Sequence, residues 1–164
     1  MAIILEGKSD VFYRQRRVKK AGETFIMGKF SSMQRNAEAL GPQWSGDQDP
    51  RVTMVGRLLR STHFDELPQL IPIFCGEMTF IGPRPERPEF VEMLKEKIPF
   101  YYQRFLVKPG LSGWAQIHYP YGSTVEDALK KLQYELYYIK HRSVLLDLEI
   151  LLRTFALIFS VPRR

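Results

Sequence analysis

The segment that most restricts the fold of this chain is its last long one, Val144 to Val161. Leu145, Leu148, Leu152, Phe155 and Phe159 recur at helical spacing, and Leu146, Ile150, Leu151, Leu157 and Ile158 widen that stripe. Only a narrow polar strip remains, around Ser143, Asp147, Arg153 and Thr154. A helix apolar over so much of its circumference needs cover on more than one side. It belongs either inside a protein core or at a lipid surface, with its basic end, Pro162-Arg163-Arg164, beside lipid phosphates. No stretch reaches the roughly 18 uncharged apolar residues of a spanning helix, and Met1 to Leu5 is too short for a signal peptide.

A chain of 164 residues, 45% hydrophobic and 26% charged, can bury one core, so wholesale disorder and repeat arrays are excluded. The one cysteine, Cys75, offers neither an internal disulfide nor a paired zinc spacing, which points to a reducing compartment. The net charge of +6 is concentrated: residues 1–35 carry +5 and the rest of the chain +1. Such a basic start suits a nucleic acid, a nucleotide ligand, anionic headgroups or simply a solvated hairpin face. No recognition helix or RNA-binding motif accompanies it, so nucleic acid is not expected as a partner.

The runs Val11–Arg17 and Thr24–Phe30 predict a β-hairpin, and a polar loop follows over Gly41–Pro50. Short helices are expected over Val52–Arg60 and from Phe64 to about Cys75, the second capped by Gly76. Thr79 to Pro85 reads as a brief extended piece entering a rigid turn, because each proline fixes its own φ and steers its predecessor away from helix. Helix returns over Pro88–Lys97, a turn falls at Lys108-Pro109-Gly110, and Gly113–Ile117 is expected to be extended. Ser123-Thr124-Val125-Glu126 matches a capping box opening a helix to about His141, with Val125, Leu129, Leu132 and Leu136 as its buried stripe. The sum is a helix-rich α+β domain: a core over residues 10–142, an N-terminal hairpin, and an amphipathic C-terminal helix over 143–161.

Asp65 and Glu66 are adjacent carboxylates where a helix should begin. Pro68 lacks an N–H and is tolerated only in a first turn, which confines the pair to a helix N-terminus. Free backbone N–H groups there favour an ionised carboxylate and a neighbouring phosphate, although first-turn acids also occur simply to complement the helix dipole. Arg60 lies five residues earlier, and the stiff Gly82-Pro83-Arg84-Pro85 loop can aim Arg84 at a fixed point. The plainer alternatives are a helix C-terminal charge for Arg60 and a solvent-facing loop arginine for Arg84. Together, two arginine forks and two carboxylates suit a diphosphate handled with a metal, with Mg²⁺ bridging carboxylate and phosphate oxygens.

The runs Asp49-Pro50-Arg51-Val52-Thr53, Gly56-Arg57-Leu58-Leu59-Arg60, Phe64-Asp65-Glu66-Leu67-Pro68-Gln69-Leu70 and Ile81-Gly82-Pro83-Arg84-Pro85-Glu86 carry a resemblance. So do Val107-Lys108-Pro109-Gly110-Leu111-Ser112-Gly113-Trp114-Ala115-Gln116 and Tyr134-Glu135-Leu136-Tyr137-Tyr138-Ile139-Lys140. Over roughly residues 10 to 158 the chain resembles the bacterial sugar transferases, the monotopic polyprenyl-phosphate phosphoglycosyl transferases. The resemblance implies transfer of phospho-sugar from a UDP-sugar to polyprenyl phosphate with release of UMP, the first lipid-linked step of a surface glycan. It implies a covalent intermediate on Asp65, assistance from Glu66, Mg²⁺ at both carboxylates, and a place on the cytoplasmic face of the bacterial inner membrane. Lys29, Arg60 and Arg84 map to phosphate-facing positions, and Asp127 and Arg142 are further candidates for substrate contact. Trp114 and the Tyr134–Tyr138 cluster read as packing aromatics.

Two departures from the family pattern stand out. Ser31 occupies a position where the pattern has arginine. The hydrophobic hairpin helix that members carry before the position of Asp10-Val11-Phe12-Tyr13 is not in this sequence, so the chain is either a piece of a longer product or a shortened form docking through Val144–Val161. The alternative function is a catalytically silent module of the same fold that binds nucleotide sugar or an assembly partner at the membrane. The apolar stripe would also favour self-association.

Overall fold

Strand β1 (Phe12–Val18) and strand β2 (Thr24–Phe30) form the expected antiparallel hairpin, in register from Phe12 opposite Phe30 to Val18 opposite Thr24. The computed structural model describes residues 3, 10–39, 41, 43, 49–119, 122 and 124–160. Most of the Gly41–Pro50 loop, Ser123 and Pro162–Arg164 lie outside the described residues. Within β2 the strand alternation buries Phe25 and Met27, which pack on Met78 and Ile73 in a small core beneath the hairpin.

Helix α1 (Met54–Ser61) leads through a 3₁₀ segment, Phe64–Gln69, into the short α2 (Leu70–Phe74). Sequence alone reads these last two as one helix. Pro68 and Pro72 remove the N–H groups that continuous i→i−4 bonding would need, and the first half winds tighter instead. Gly76, at φ +75°, closes α2 as expected. Next come β3 (Thr79–Ile81), α3 (Pro88–Lys97), a second 3₁₀ segment (Tyr101–Leu106), β4 (Gly110–Ser112), α4 (Trp114–His118), α5 (Val125–His141) and α6 (Val144–Ser160). The main core gathers Val18, Val91, Leu94, Ile98, Tyr101, Phe105 and Leu132 from β1, α3, the second 3₁₀ segment and α5. The fold is α+β, as the patterning predicts.

Three local expectations differ. Residues 113–117 are not extended: β4 ends at Ser112, and Trp114–His118 is helical. The strand is pinned earlier because β4 pairs in parallel with β3, Thr79 opposite Gly110, so closely that a Cβ at Gly110 would lie 2.1 Å from the Gly82 nitrogen. The capping box of α5 uses Thr124 and Asp127, one residue later than Ser123 and Glu126. Of the expected stripe of α5, Leu132 is buried and Val125 and Leu136 pack partly buried against the core, whereas Leu129 is 41% exposed, and Glu135 and Tyr138 are buried in addition.

Helix α6 is amphipathic in the inverted sense. Part of its polar strip turns inward: Asp147 accepts from the Tyr138 hydroxyl (2.8 Å) and Thr154 bonds Ser112 (2.6 Å), while Arg153 stays exposed, paired with Glu149 and lying over the Trp114 ring. Ile150 is buried, whereas Leu145, Leu148, Leu152 and Phe155 are all half-exposed or more. Among the described residues nothing covers that stripe as a core would. Among the described residues no helix is long and apolar enough to cross a membrane.

Helix α1 is set against the strand end by backbone contact. The Thr53 N–H donates to the Ser32 carbonyl (3.0 Å), while Thr53 Oγ1 caps the helix by accepting from the Gly56 N–H (2.9 Å). A Cβ at Gly56 would lie 2.0 Å from the Ser32 carbonyl oxygen. Alanine gains about 1 kcal/mol over glycine in a helix interior, but the obstruction is backbone and cannot swing away. Gly56→Ala is therefore expected to destabilise by about 1–3 kcal/mol, read as a thermal midpoint lower by roughly 2–10 °C. An unchanged midpoint would show that α1 does not sit this close to Ser32.

Candidate active site

The Phe64–Gln69 segment packs across β2 and brings its two acids over the strand's end. His63, at φ +58°, turns the chain out of α1, and the Glu66 N–H donates to the His63 carbonyl (3.1 Å). This turn sends the two neighbouring carboxylates into different surroundings. Glu66 Oε1 accepts from Lys29 Nζ (2.8 Å), at the end of β2, and from Arg84 Nη2 (2.5 Å), in the loop after β3. Burial alone would raise the Glu66 carboxyl, but Arg84 and Lys29 outweigh it and hold it well below the usual carboxylate range.

Asp65 is only 6% exposed, and its carboxylate accepts no side-chain hydrogen bond among the described residues. Burial pushes its pKa up from the ordinary 3.8, against the pull of Lys29, Arg60 and Arg84. The helix start lies on one turn of 3₁₀ helix, and the dipole expected to favour the carboxylate there is opposed by desolvation. Arg60 reaches the site from the end of α1, with its Nε donating to Ser32 Oγ (2.9 Å). Ser32 is a positioning residue that sequence reasoning missed, since a serine in a polar stretch carries no signal until the helix docks on it. Ser31 is buried beside it.

The loop carrying Arg84 is gripped by its carbonyls. Pro83 accepts from the Gly110 N–H (2.9 Å), Pro85 from Arg17 Nη1 (3.0 Å), and Glu86 from the Val18 N–H (2.9 Å). Arg84 Nη1 also donates to the Leu111 carbonyl (3.3 Å). Lys29, Arg60, Asp65, Glu66, Arg84 and Arg142 all line one open cavity of about 2130 Å³, whose wall on the α6 side includes Leu148, Leu151 and Phe155. Asp127 does not line it. Its carboxylate accepts from the Tyr119 hydroxyl (2.8 Å) and from the Thr124 N–H (3.0 Å), which completes the α5 cap.

A cation at this place has few protein donors, for no group of three or more His, Cys, Asp or Glu converges among the described residues. Both cationic partners of Glu66 bond the same oxygen, so Oε2 is not used by them, and Asp65 is unbonded. One or two carboxylates with positions left for phosphate and water fit Mg²⁺, and would not make a closed calcium cage.

A family model described as bacterial sugar transferase matches residues 1–161. Over 158 residues the chain is 42% identical to the UDP-N-acetylgalactosamine-undecaprenyl-phosphate N-acetylgalactosaminephosphotransferase of Aeromonas hydrophila, a match covering 96% of this chain and 37% of that protein. It is 37% identical over 156 residues to the UDP-glucose:undecaprenyl-phosphate glucose-1-phosphate transferase of Escherichia coli (strain K12), covering 94% of this chain and 34% of the relative. Identity to the protein of the same name from Caulobacter vibrioides is 37% over 158 residues, covering 94% and 58% respectively. The chain thus spans between about a third and somewhat over half of these relatives' lengths.

The two acids should respond oppositely to neutralisation. Glu66 has a lowered folded pKa, so its stabilisation is complete above the ordinary 4.5 and declines as pH falls toward the depressed value. Glu66→Gln is expected to cost on the order of 3 kcal/mol at pH 7, because Lys29 and Arg84 lose their partner. Asp65 has a raised folded pKa, so its ionised form is a cost at neutral pH that vanishes below the ordinary 3.8. Asp65→Asn is expected to raise the thermal midpoint at pH 7 and to leave it unchanged below about pH 3.8. Thermal scans of both variants from pH 3 to pH 8 check this, and a midpoint lowered by Asp65→Asn would contradict it.

Proposed function

The chain belongs to the bacterial sugar transferase family, and on that premise we propose that it moves a sugar-1-phosphate group from a UDP-sugar to undecaprenyl phosphate. The observation that carries this reading is the division of labour in the dyad: a buried, unbonded Asp65 ringed by Lys29, Arg60 and Arg84, beside a Glu66 locked in ion pairs. In the first step an Asp65 carboxylate oxygen attacks the sugar-bearing phosphorus of the donor. The bridging P–O bond breaks and its electron pair leaves with UMP. In the second step a phosphate oxygen of the polyprenyl acceptor attacks the same phosphorus, and the Asp65 carboxylate departs unchanged. No proton has to move in either step.

Splitting the reaction this way means that only one bulky anionic substrate need occupy the cavity beside Asp65 at a time. Lys29, Arg60 and Arg84 face the phosphate oxygens and stabilise charge as it develops. Glu66 keeps Lys29 and Arg84 in place. Mg²⁺ held by Asp65 and Glu66 would supply further neutralisation of phosphate charge. Arg142, at the elbow between α5 and α6, lies on the cavity wall where an incoming anionic acceptor would pass. Asp127 keeps a structural role in this reading.

The acceptor is a lipid, and the inverted face of α6 supports delivery from a membrane surface. Leu145, Leu148, Leu152 and Phe155 face outward, with Leu148 and Phe155 also on the cavity wall. Phe64, Leu67 and Ile71, around the dyad itself, are likewise half-exposed or more. Burying such a face in the headgroup region places the cavity mouth at the depth of the acceptor phosphate. The proposed location is the cytoplasmic face of the bacterial inner membrane.

The donors to test first are UDP-N-acetylgalactosamine and UDP-glucose, the sugars named for the relatives. Incubation with Mg²⁺ and the correct donor, without acceptor, is expected to add one phospho-sugar to the intact protein by mass spectrometry and release one UMP. Asp65→Asn should take up none. With undecaprenyl phosphate in detergent, Arg84→Ala is expected to lower turnover by about 10²–10³-fold, and EDTA to abolish it until Mg²⁺ is restored. A full adduct on Asp65→Asn would overturn the assignment of the nucleophile.

A further inference from the structure

On the wall of the same cavity, in a place the proposed reaction does not use, lies a buried ion pair. Arg104, in the Tyr101–Leu106 segment, and Glu135, on α5, are 7% and 5% exposed. Arg104 Nη2 donates to Glu135 Oε1 (2.7 Å) and also to the Arg84 carbonyl oxygen (2.7 Å), while Nη1 donates to the Tyr101 hydroxyl (2.6 Å). Burial alone would push the Arg104 guanidinium down, but Glu135 reverses this and holds it charged. A buried ion pair of this kind is often no more stabilising than apolar side chains of the same volume. What an apolar pair cannot supply is a donor for the Arg84 carbonyl.

That carbonyl matters because of the loop's composition. Pro83 and Pro85 flank Arg84 and contribute no N–H groups, so the loop is fixed chiefly through its carbonyls. Those of Pro83, Pro85 and Glu86 are taken by β4, Arg17 and β1. The Arg84 carbonyl is bonded by Arg104, within the same residue whose side chain reaches Glu66 beside Asp65. We propose that Arg104, itself held by Glu135, is a positioning residue that fixes Arg84 by its backbone and so aims the Arg84 guanidinium at the reacting phosphate. This rests on the transferase reading above. Lysine cannot replace it, since a single ammonium lacks the planar fork that serves Tyr101, Glu135 and Arg84 together.

The test compares wild type, Arg104→Met/Glu135→Leu and Arg104→Lys, each also combined with Arg84→Ala. Four quantities are read: thermal midpoint, kcat for UMP release, donor KM, and the ¹⁵N relaxation of the Arg84 Nε–H signal, assigned with Arg84→Lys. The Met/Leu pair is expected to keep or raise the midpoint, lower kcat about 10–100-fold as expected for a slightly misplaced group, and render the Arg84 signal mobile. Added to Arg84→Ala, it should cost less than threefold more, because both changes act through one side chain. Turnover within threefold of wild type in the folded Met/Leu variant, or an Arg84 signal as ordered as in wild type, overturns the proposal. If the Met/Leu variant does not fold, Arg104→Lys decides. A tenfold loss of kcat at an unchanged midpoint supports the proposal, whereas full turnover, or a loss only in step with the midpoint, overturns it. Wild-type protein that releases no UMP from any donor would sink the transferase reading alone, and the relaxation measurement would still judge Arg104.

Discussion

A single carboxylate oxygen, Glu66 Oε1, joins three parts of the chain that are far apart in sequence: Lys29 at the end of the hairpin, the dyad segment, and Arg84 in the loop after β3. Two cations on one partly buried oxygen outweigh the desolvation of Glu66. The same contact also sets the chemistry next door. With Lys29 and Arg84 drawn toward Glu66, Asp65 sits within their field without being bonded by either, an arrangement that suits the nucleophile proposed above. Adjacent acids with opposite pKa shifts are a recurring way for a site to assign different tasks to the same residue type.

The inverted α6 follows from a related constraint. Its inward-facing polar groups are each matched: Asp147 to Tyr138, Thr154 to Ser112. Both partners belong to elements that shape the cavity, since Ser112 ends β4, opposite Ile81, and Tyr138 lies on the buried face of α5. The helix is therefore attached by directional bonds together with the burial of Ile150. This leaves its hydrophobic stripe exposed and ties the orientation of that stripe to the loop that presents Arg84.

Much of this was legible in the sequence. Proline and glycine placed the α2 stop and the rigid Arg84 loop, strand alternation gave the hairpin, and Pro88–Lys97 matched to the residue because its start and its apolar spacing are local features. Among the site residues, Lys29, Arg60, Asp65, Glu66, Arg84 and Arg142 share the cavity, whereas Asp127 is held in a helix cap. The failures have a common origin in contacts between distant segments. The Gly82–Gly110 approach fixes where β4 ends, so 113–117 could not be read from its own residues. Arg104 draws Glu135 inward, so α5 buries a glutamate and exposes Leu129, against any hydrophobic count. The ionisation of Asp65 likewise depends on burial, which local position at a helix start does not report.

These failures bear on how the site is built. The helix dipole at the start of a 3₁₀ segment acts over about one turn, and here it is opposed by removal of solvent on nearly every side of Asp65. Had the dipole won, Asp65 would be a contented anion, well bonded and poorly nucleophilic. Because burial opposes it, the ionised Asp65 is held by the field of Lys29, Arg60 and Arg84 and not by hydrogen bonds among the described residues. On the proposed reading, Lys29, Arg60 and Arg84 would favour the charge distribution of the reacting complex more than that of the empty site, which is the condition for accelerating a reaction and not merely binding its substrate.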